Sequence, residues 1–471
     1  MLQASSGSGI GTMAGEGSER GAKGLPGRFR RSLTTAKLAG SVSSRLIGGK
    51  IADVLRRDER AKTAREERAL ENARRVVSTM TELRGPMMKI GQLLSTHAKA
   101  LPKEVAHVLM PLQQQAPPMA WSTIRRVLID DLGETPETLF AEIGEDAVAA
   151  ASLGQVHRAT LPDGTEVAVK IQYPGAEASV EGDMRNLELG AAVAKRLIAD
   201  TIGNQRLDAT PIAEEIAEHI RQETDYCREA YNAKLLGKLF RDDPHVVVPR
   251  VHDSHSGLRV ITYDWLEGEE LDWGLRNDDP TIRERTVRQL THAFWFQMFK
   301  GGVLHADPHP GNYRILADGR LGLLDYGCVK VFGESFLEGF SDMVLARIDQ
   351  DEERLLKCLV ALELIDDPED QQQIDDMAKI ADYCSTGLHA DEPFDFSEFS
   401  YVEGAQELVR HFLARRQLPP AQKDFLFLTR VVLGYYEYFS RAEAHLNFRQ
   451  MVEPYIRPGY EGRTIEVLPY D

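Results

Sequence analysis

The apolar positions change period along the chain, and the changes divide it. Residues 1–27 are rich in Gly and Ser without any apolar period, which predicts disorder. Leu33, Leu38, Val42, Leu46 and Ile47 then interleave with basic residues, the pattern of an amphipathic helix. Residues 50–145 read as helical with no convincing strand, and Pro117-Pro118 interrupts the period. From about residue 148 the repeat shortens. Residues 149–161 and 166–172 read as strands, joined at Pro162-Asp163-Gly164, where Asp-Gly favours a tight hairpin turn. Residues 180–199 and 211–239 predict helices; 246–251 and 258–263 predict strands. Beyond Leu266 the period is helical almost throughout, apart from 313–325, and 425–439 reads as a buried core helix. The order predicts an α+β chain with an arm (1–45), a helical extension (46–145), a small mixed lobe (146–266), a larger helical lobe (267–460) and a tail (461–471).

Charge narrows the functions open to this fold. The 471 residues carry a formal net charge of −17, which disfavours general binding of nucleic acid. Charge is distributed unevenly, however. Residues 20–50 hold eight basic side chains and no acidic one, so this arm suits an anionic lipid surface. A solvated flexible arm or a transit peptide would share that composition. Cys227, Cys328, Cys358 and Cys384 form no C-x-x-C pair, which argues against zinc and for free thiols. No apolar run reaches the ~20 residues a membrane-spanning helix needs.

Candidate chemistry centres on His305-Ala306-Asp307-Pro308-His309-Pro310-Gly311-Asn312 and on Asp325-Tyr326-Gly327. Phosphoryl transfer needs a carboxylate near the acceptor and oxygen ligands for the Mg²⁺ that bridges phosphates. Asp307 supplies the first; Asn312 and Asp325 supply the second, brought together by a hairpin turning at Asp318-Gly319. Upstream, Val167-Ala168-Val169-Lys170 has the form of a strand whose lysine holds the α and β phosphates. The bland alternative is a solubilising charge at a strand end. Lys170 needs a carboxylate on a following helix. Asp225 and Glu229 lie four apart on one helical face, and Glu229 is the favoured partner, with Glu223 as the alternative. A phosphate loop is expected at Ala149, Ala150, Ala151, Ser152, Leu153, Gly154, Gln155 and Val156, where alanines replace the usual glycines. Position alone suggests Tyr263 as gatekeeper and Asp264, Trp265 and Leu266 as a hinge that bonds adenine through backbone groups. Lys89-Ile90-Gly91-Gln92 places Lys89 and Gln92 on one face of a helical turn.

Taken together, these motifs resemble the UbiB-type atypical kinase family, also called AarF or ADCK, across residues 84–433. The family is marked by K-x-G-Q, an Ala-rich loop, a strand lysine, E-x-D (here Glu223-Thr224-Asp225), H-x-D-x-H-P-G-N and D-Y-G or D-F-G. The resemblance implies a bilobal protein-kinase-like fold with an N-terminal helical extension lying over the cleft, and brings Lys89 near Glu223 and Asp225. It also implies binding of ATP or ADP with Mg²⁺, ATPase or kinase activity, and support of ubiquinone or related prenyl-lipid biosynthesis, with a quinone or prenyl precursor as partner. Peripheral attachment to a membrane follows, either at the bacterial cytoplasmic face or at the mitochondrial matrix side. Residues 457–471 are polar, as in the branch without C-terminal transmembrane helices. A nucleotide-binding scaffold with negligible turnover is the main alternative. Protein kinase activity is disfavoured, because only residues 328–333 separate Gly327 from the next helical period, leaving no peptide-docking segment.

Overall fold

The computed structural model describes residues 118–150, 153–176, 221–398, 423–458 and 462–468, with isolated positions at 404, 407, 408 and 411. The basic arm, Lys89, Gln92 and most of the helical extension lie outside the described residues.

Helix α1 (Trp121–Leu132) ends where Gly133 adopts φ 76° and donates its N–H to the Ile129 carbonyl. A short helix α2 (Pro136–Leu139) follows. The small lobe is a five-stranded sheet of β1 (Glu142–Ile143), β2 (Ala149–Ala150), β3 (Gly154–Thr160), β4 (Glu166–Gln172) and, later in the chain, a strand at Val260–Asp264. The β3–β4 hairpin turns as expected at Asp163-Gly164. Asp163 accepts from the Thr165 N–H at 2.9 Å, and Gly164 takes φ 89°. Val167, Val169 and Ile171 alternate inward along β4, with no exposed surface, onto Ile124 and Leu128 of α1. That alternation sends Ala168 and Lys170 to the opposite face.

Helix α3 (Tyr226–Leu239) crosses next, followed by β5 (Val246–Val247), β6 (Val260–Asp264) and β7 (Gly268–Glu270). The larger lobe is built on α4 (Leu271–Leu275) and α5 (Pro280–Phe296). Asp279 caps α5 by accepting from the Thr281 N–H, and Pro280 starts it. A π-helical turn (Gln297–Gly301) leads into β8 (Val303–His305). Strands β9 (Tyr313–Leu316) and β10 (Leu321–Leu323) form the expected hairpin, flanked by β7 and β5 in one sheet. After β11 (Val329–Val331), which pairs with β8, come α6 (Glu334–Ile348), α7 (Glu352–Ala361), α8 (Gln371–Cys384), β12 (Phe394–Asp395), α9 (Lys423–Arg441), β13 (His445–Leu446) and α10 (Phe448–Ile456). Their core joins Leu290, Trp295, Phe340, Leu359, Phe439 and Val452 in one buried cluster. This is the α+β bilobal arrangement expected from the resemblance. Among the described residues no helix is long and apolar enough to cross a membrane.

Several expected elements differ. Residues 142–143 form a strand in a region read as wholly helical, and β7, β8, β11, β12 and β13 interrupt the stretch read as helical beyond Leu266. Each is two or three residues long, too short for a period of two to register, and β8 is buried at every position. The strand expected over 246–251 stops at Val247, because Pro249 has no N–H for a ladder. The helix expected over 211–239 is broken at Thr224-Asp225, where Asp225 becomes an N-cap.

Candidate active site

Lys170 lies opposite Val156 of β3 and Ile261 of β6, and Ala168 lies opposite Arg158 and Tyr263. Directly paired residues share a sheet face. Val156, Ala168, Lys170, Ile261 and Tyr263 therefore line one wall of the cleft between the lobes. Glu229, in the first turn of α3 and 1% exposed, receives two bonds from Lys170 Nζ, at 2.8 and 2.9 Å. The Tyr263 hydroxyl donates to the same carboxylate at 3.0 Å. Lys170 also reaches Asp325 Oδ2 at 3.3 Å, so the ammonium joins both lobes. Burial lowers the Lys170 pKa, but the Asp325 and Glu229 carboxylates outweigh it and hold that pKa well above the ordinary lysine value. Burial pushes the Glu229 carboxyl up, and the ammonium pulls it back only in part.

The lower wall is the loop from His305 to Asn312. Asn312 Nδ2 donates to the Asp307 carbonyl and to Asp307 Oδ2, both at 3.1 Å, which turns Asn312 Oδ1 away as an acceptor. The Leu324 N–H donates to the Asn312 carbonyl at 2.8 Å, tying the hairpin's end to this loop. Asp325 then adopts φ 58°, a left-handed conformation that side chains other than Gly, Asn and Asp take rarely. His305 holds it there: its Nε2–H donates to the Leu324 and Asp325 carbonyls at 3.0 and 2.6 Å. Gly327 donates its N–H to Asp325 Oδ1 at 3.1 Å. Tyr326 is buried between the rings of Tyr263 and His305.

Glu223 packs its Cγ toward Gly327, against the Asp-Tyr-Gly turn, and Lys170 turns to Glu229 instead. Asp225 was expected on the helical face of Glu229. It stands outside the helix and caps it, accepting from the Arg228 N–H at 2.9 Å, because a carboxylate satisfies an orphan N–H best from that position.

The expected phosphate loop divides. Ala149 and Ala150 are strand residues paired with Val156 and Gln155. Ala151 and Ser152 lie outside the described residues. Leu153 is buried, and its carbonyl accepts from Tyr173. Gly154 must be glycine: a Cβ there would sit 2.6 Å from the Ile171 carbonyl oxygen. Gln155 points away from the cleft. Fully buried, it accepts from the Met119 N–H at 2.8 Å, donates to the Met119 carbonyl at 3.3 Å and meets His157 Nε2 at 2.9 Å. It is a clasp between sheet and N-terminal segment, since strand alternation carries it to the face opposite Lys170. Gln155→Ala is expected to cost about 1–3 kcal/mol in chemical denaturation, by orphaning the Met119 amide, and to leave nucleotide affinity within about twofold.

At the expected hinge, the Asp264 N–H donates to the Arg250 carbonyl and the Trp265 N–H to the Glu166 carbonyl. These two donors, expected to meet adenine, are spent within the protein. The Asp264 carboxylate faces away, bonded to His252 Nε2 at 2.7 Å, and Trp265 stacks under Arg158 at 4.6 Å. Leu266 packs over Gly322. Two supporting residues carried no pattern in the sequence. Asn232 Nδ2 donates to the Tyr326 carbonyl at 2.9 Å, and Gln297, in the π-turn, accepts from the His305 N–H at 2.8 Å.

The donors suit Mg²⁺. Asp325, 40% exposed in side chain, and the outward Asn312 Oδ1 are hard oxygen ligands. Among the described residues no three His, Cys, Asp or Glu side chains form a preformed cage. Mg²⁺ needs none, because phosphate and water oxygens complete its shell.

Comparison with known proteins agrees with this fold. The model of the ABC1 atypical kinase-like domain matches residues 111–359. The rat mitochondrial atypical kinase COQ8B is 30% identical over 402 residues, covering 84% of this chain and 74% of its own. The Arabidopsis thaliana chloroplastic protein ACTIVITY OF BC1 COMPLEX KINASE 8 is 32% identical over 59% of this chain and 37% of its own. Among solved structures, Rv3197 of Mycobacterium tuberculosis, in complex with erythromycin, superimposes with a TM-score of 0.58 at 26% identity, over 84% of this chain and 98% of its own.

Proposed function

This chain belongs to the ABC1 atypical kinase-like family, and from that premise we propose that it is a Mg²⁺-dependent ATPase or small-molecule kinase of the UbiB type. The observation that carries the proposal is the convergence of Lys170, Glu229 and Asp325 within 3.3 Å of one ammonium, beside the bonded pair Asp307 and Asn312. In this reading Lys170 grips the α and β phosphates, and Glu229 with Tyr263 keeps its ammonium aimed into the cleft. Asn312 and Asp325 would hold Mg²⁺, which would supply positive charge to neutralise what develops on the phosphates. Asp307, its carboxylate fixed by Asn312, orients the attacking hydroxyl or water and accepts its proton. Val156 and Ala168 lie against the adenine face, and the hinge contributes backbone groups other than the Asp264 and Trp265 N–H.

The acceptor is not a docked peptide in this reading. Strand β11 returns straight to β8, and α6 starts at Glu334, seven residues past Gly327. We place the activity in quinone or isoprenoid-lipid metabolism at a membrane surface, supported by the name of the rat relative and by the basic arm. Phosphate release from ATP should require Mg²⁺ and rise several-fold with anionic vesicles, most at low salt. Nucleotide binding without turnover, with and without vesicles, would instead make the chain a scaffold.

A further inference from the structure

Tyr226 begins α3, three residues before Glu229, and is 1% exposed. Its ring lies 5.3 Å from the Lys170 ammonium. Among the described residues its hydroxyl has no hydrogen-bond partner. A buried hydroxyl without a partner is costly, so its persistence beside charged groups calls for a reason.

Geometry supplies one. A Cβ on Gly154 would sit 2.7 Å from the Tyr226 hydroxyl oxygen. Gly154 lies opposite Gln172 in the ladder that sets Val156 opposite Lys170, so it faces the cleft. The phenol therefore occupies the side-chain space of the glycine within the phosphate-loop segment. The phenol O–H sits where the backbone has been stripped of a side chain, and the ammonium lies 5.3 Å from its ring. Burial raises the phenol far above its ordinary pKa, so it stays a donor throughout the neutral range. What would satisfy the phenol O–H there, beside an ammonium already bonded to Glu229 and Asp325, is an anionic oxygen.

We infer that Tyr226 is a nucleotide-binding residue whose buried O–H donates to a phosphate oxygen of ATP or ADP. The inference rests on the nucleotide reading of the site. Its test is Tyr226→Phe in the full chain, which keeps the ring over Lys170 and removes only the hydroxyl. Binding of ATP, ADP and adenosine is measured by calorimetry with Mg²⁺, and Tm is measured without nucleotide. The variant is expected to bind ATP and ADP about tenfold more weakly, as loss of a bond to a charged oxygen implies, and adenosine unchanged. Its Tm should equal or exceed that of the wild type, since an unpartnered buried hydroxyl has been removed. ADP bound as tightly as by the wild type overturns the inference. So does a loss that adenosine shares, which marks a purely structural role. Failure of the wild type itself to bind ATP and ADP would remove the nucleotide reading, and this inference with it.

Discussion

Asp325→Asn is expected to lower phosphate release from ATP by about a thousandfold, the scale on which a preorganised charged group at a reacting centre acts. Fold stability should barely change. Asparagine is among the few residues that accept the left-handed φ of 58° required here, and its Oδ1 can still receive the Gly327 N–H. Lys170 keeps its two bonds to Glu229. What disappears is one negative charge, 3.3 Å from the ammonium and facing the site proposed for Mg²⁺. The measurement pairs steady-state phosphate release with thermal melting. Turnover within tenfold of wild type, in a protein that melts normally, would sink the assignment of Asp325. A fall in turnover matched by a fall in Tm would mean that Asn had disturbed the loop, and Asp307→Asn then serves as the independent probe of the same reaction.

The parts of the site legible from the chain are those in which chemistry and local geometry coincide. Asp307 and Asn312 lie five residues apart and bond each other directly. The hairpin between Asn312 and Asp325 is short enough for Asp318-Gly319 to mark its turn, and Gly319 does take φ 86°. The link from Lys170 to Glu229 spans 59 residues, yet it was open to inference because a strand lysine needs a helix carboxylate. The illegible parts are buried polar side chains that satisfy distant backbone groups. Gln155 and Asn232 answer groups 36 and 94 residues away, Gln297 the His305 amide across the π-turn, and such bonds leave no period. Asp225 misleads for a related reason. Helical spacing to Glu229 and N-capping of the same helix put an acidic residue at the same offset, and only the break at Thr224 separates them. At the hinge the register narrows the expectation: pairing with β4 and Arg250 consumes two N–H groups that position alone would leave for a ligand.

Removing the lysine separates stability from catalysis. Lys170→Met is expected to destabilise the protein by about 3 kcal/mol near neutral pH, toward the lower end of what breaking a buried ion pair costs, because the Lys170 side chain is 12% exposed. Glu229 would be left buried at 1% exposure with the Tyr263 hydroxyl as its side-chain donor among the described residues, in place of three bonds. The pH dependence has a definite sign. Burial already raises Glu229 above the ordinary carboxyl value of 4.5, and losing the ammonium raises it further. A carboxyl whose folded pKa lies above its unfolded one contributes stability that is fully present below the unfolded pKa and is lost as pH rises through the folded one. The variant should therefore approach wild-type stability near pH 4.5 and fall behind as pH rises. Lys170→Met combined with Glu229→Gln should recover much of the loss at neutral pH, since Gln is neutral and still accepts from Tyr263. Neither variant should turn over ATP. Denaturant unfolding at several pH values, with phosphate release alongside, reads both effects. A single variant as stable as wild type at pH 7, or a double variant no better than the single, would mean that the buried pair does not stabilise the fold as its geometry indicates.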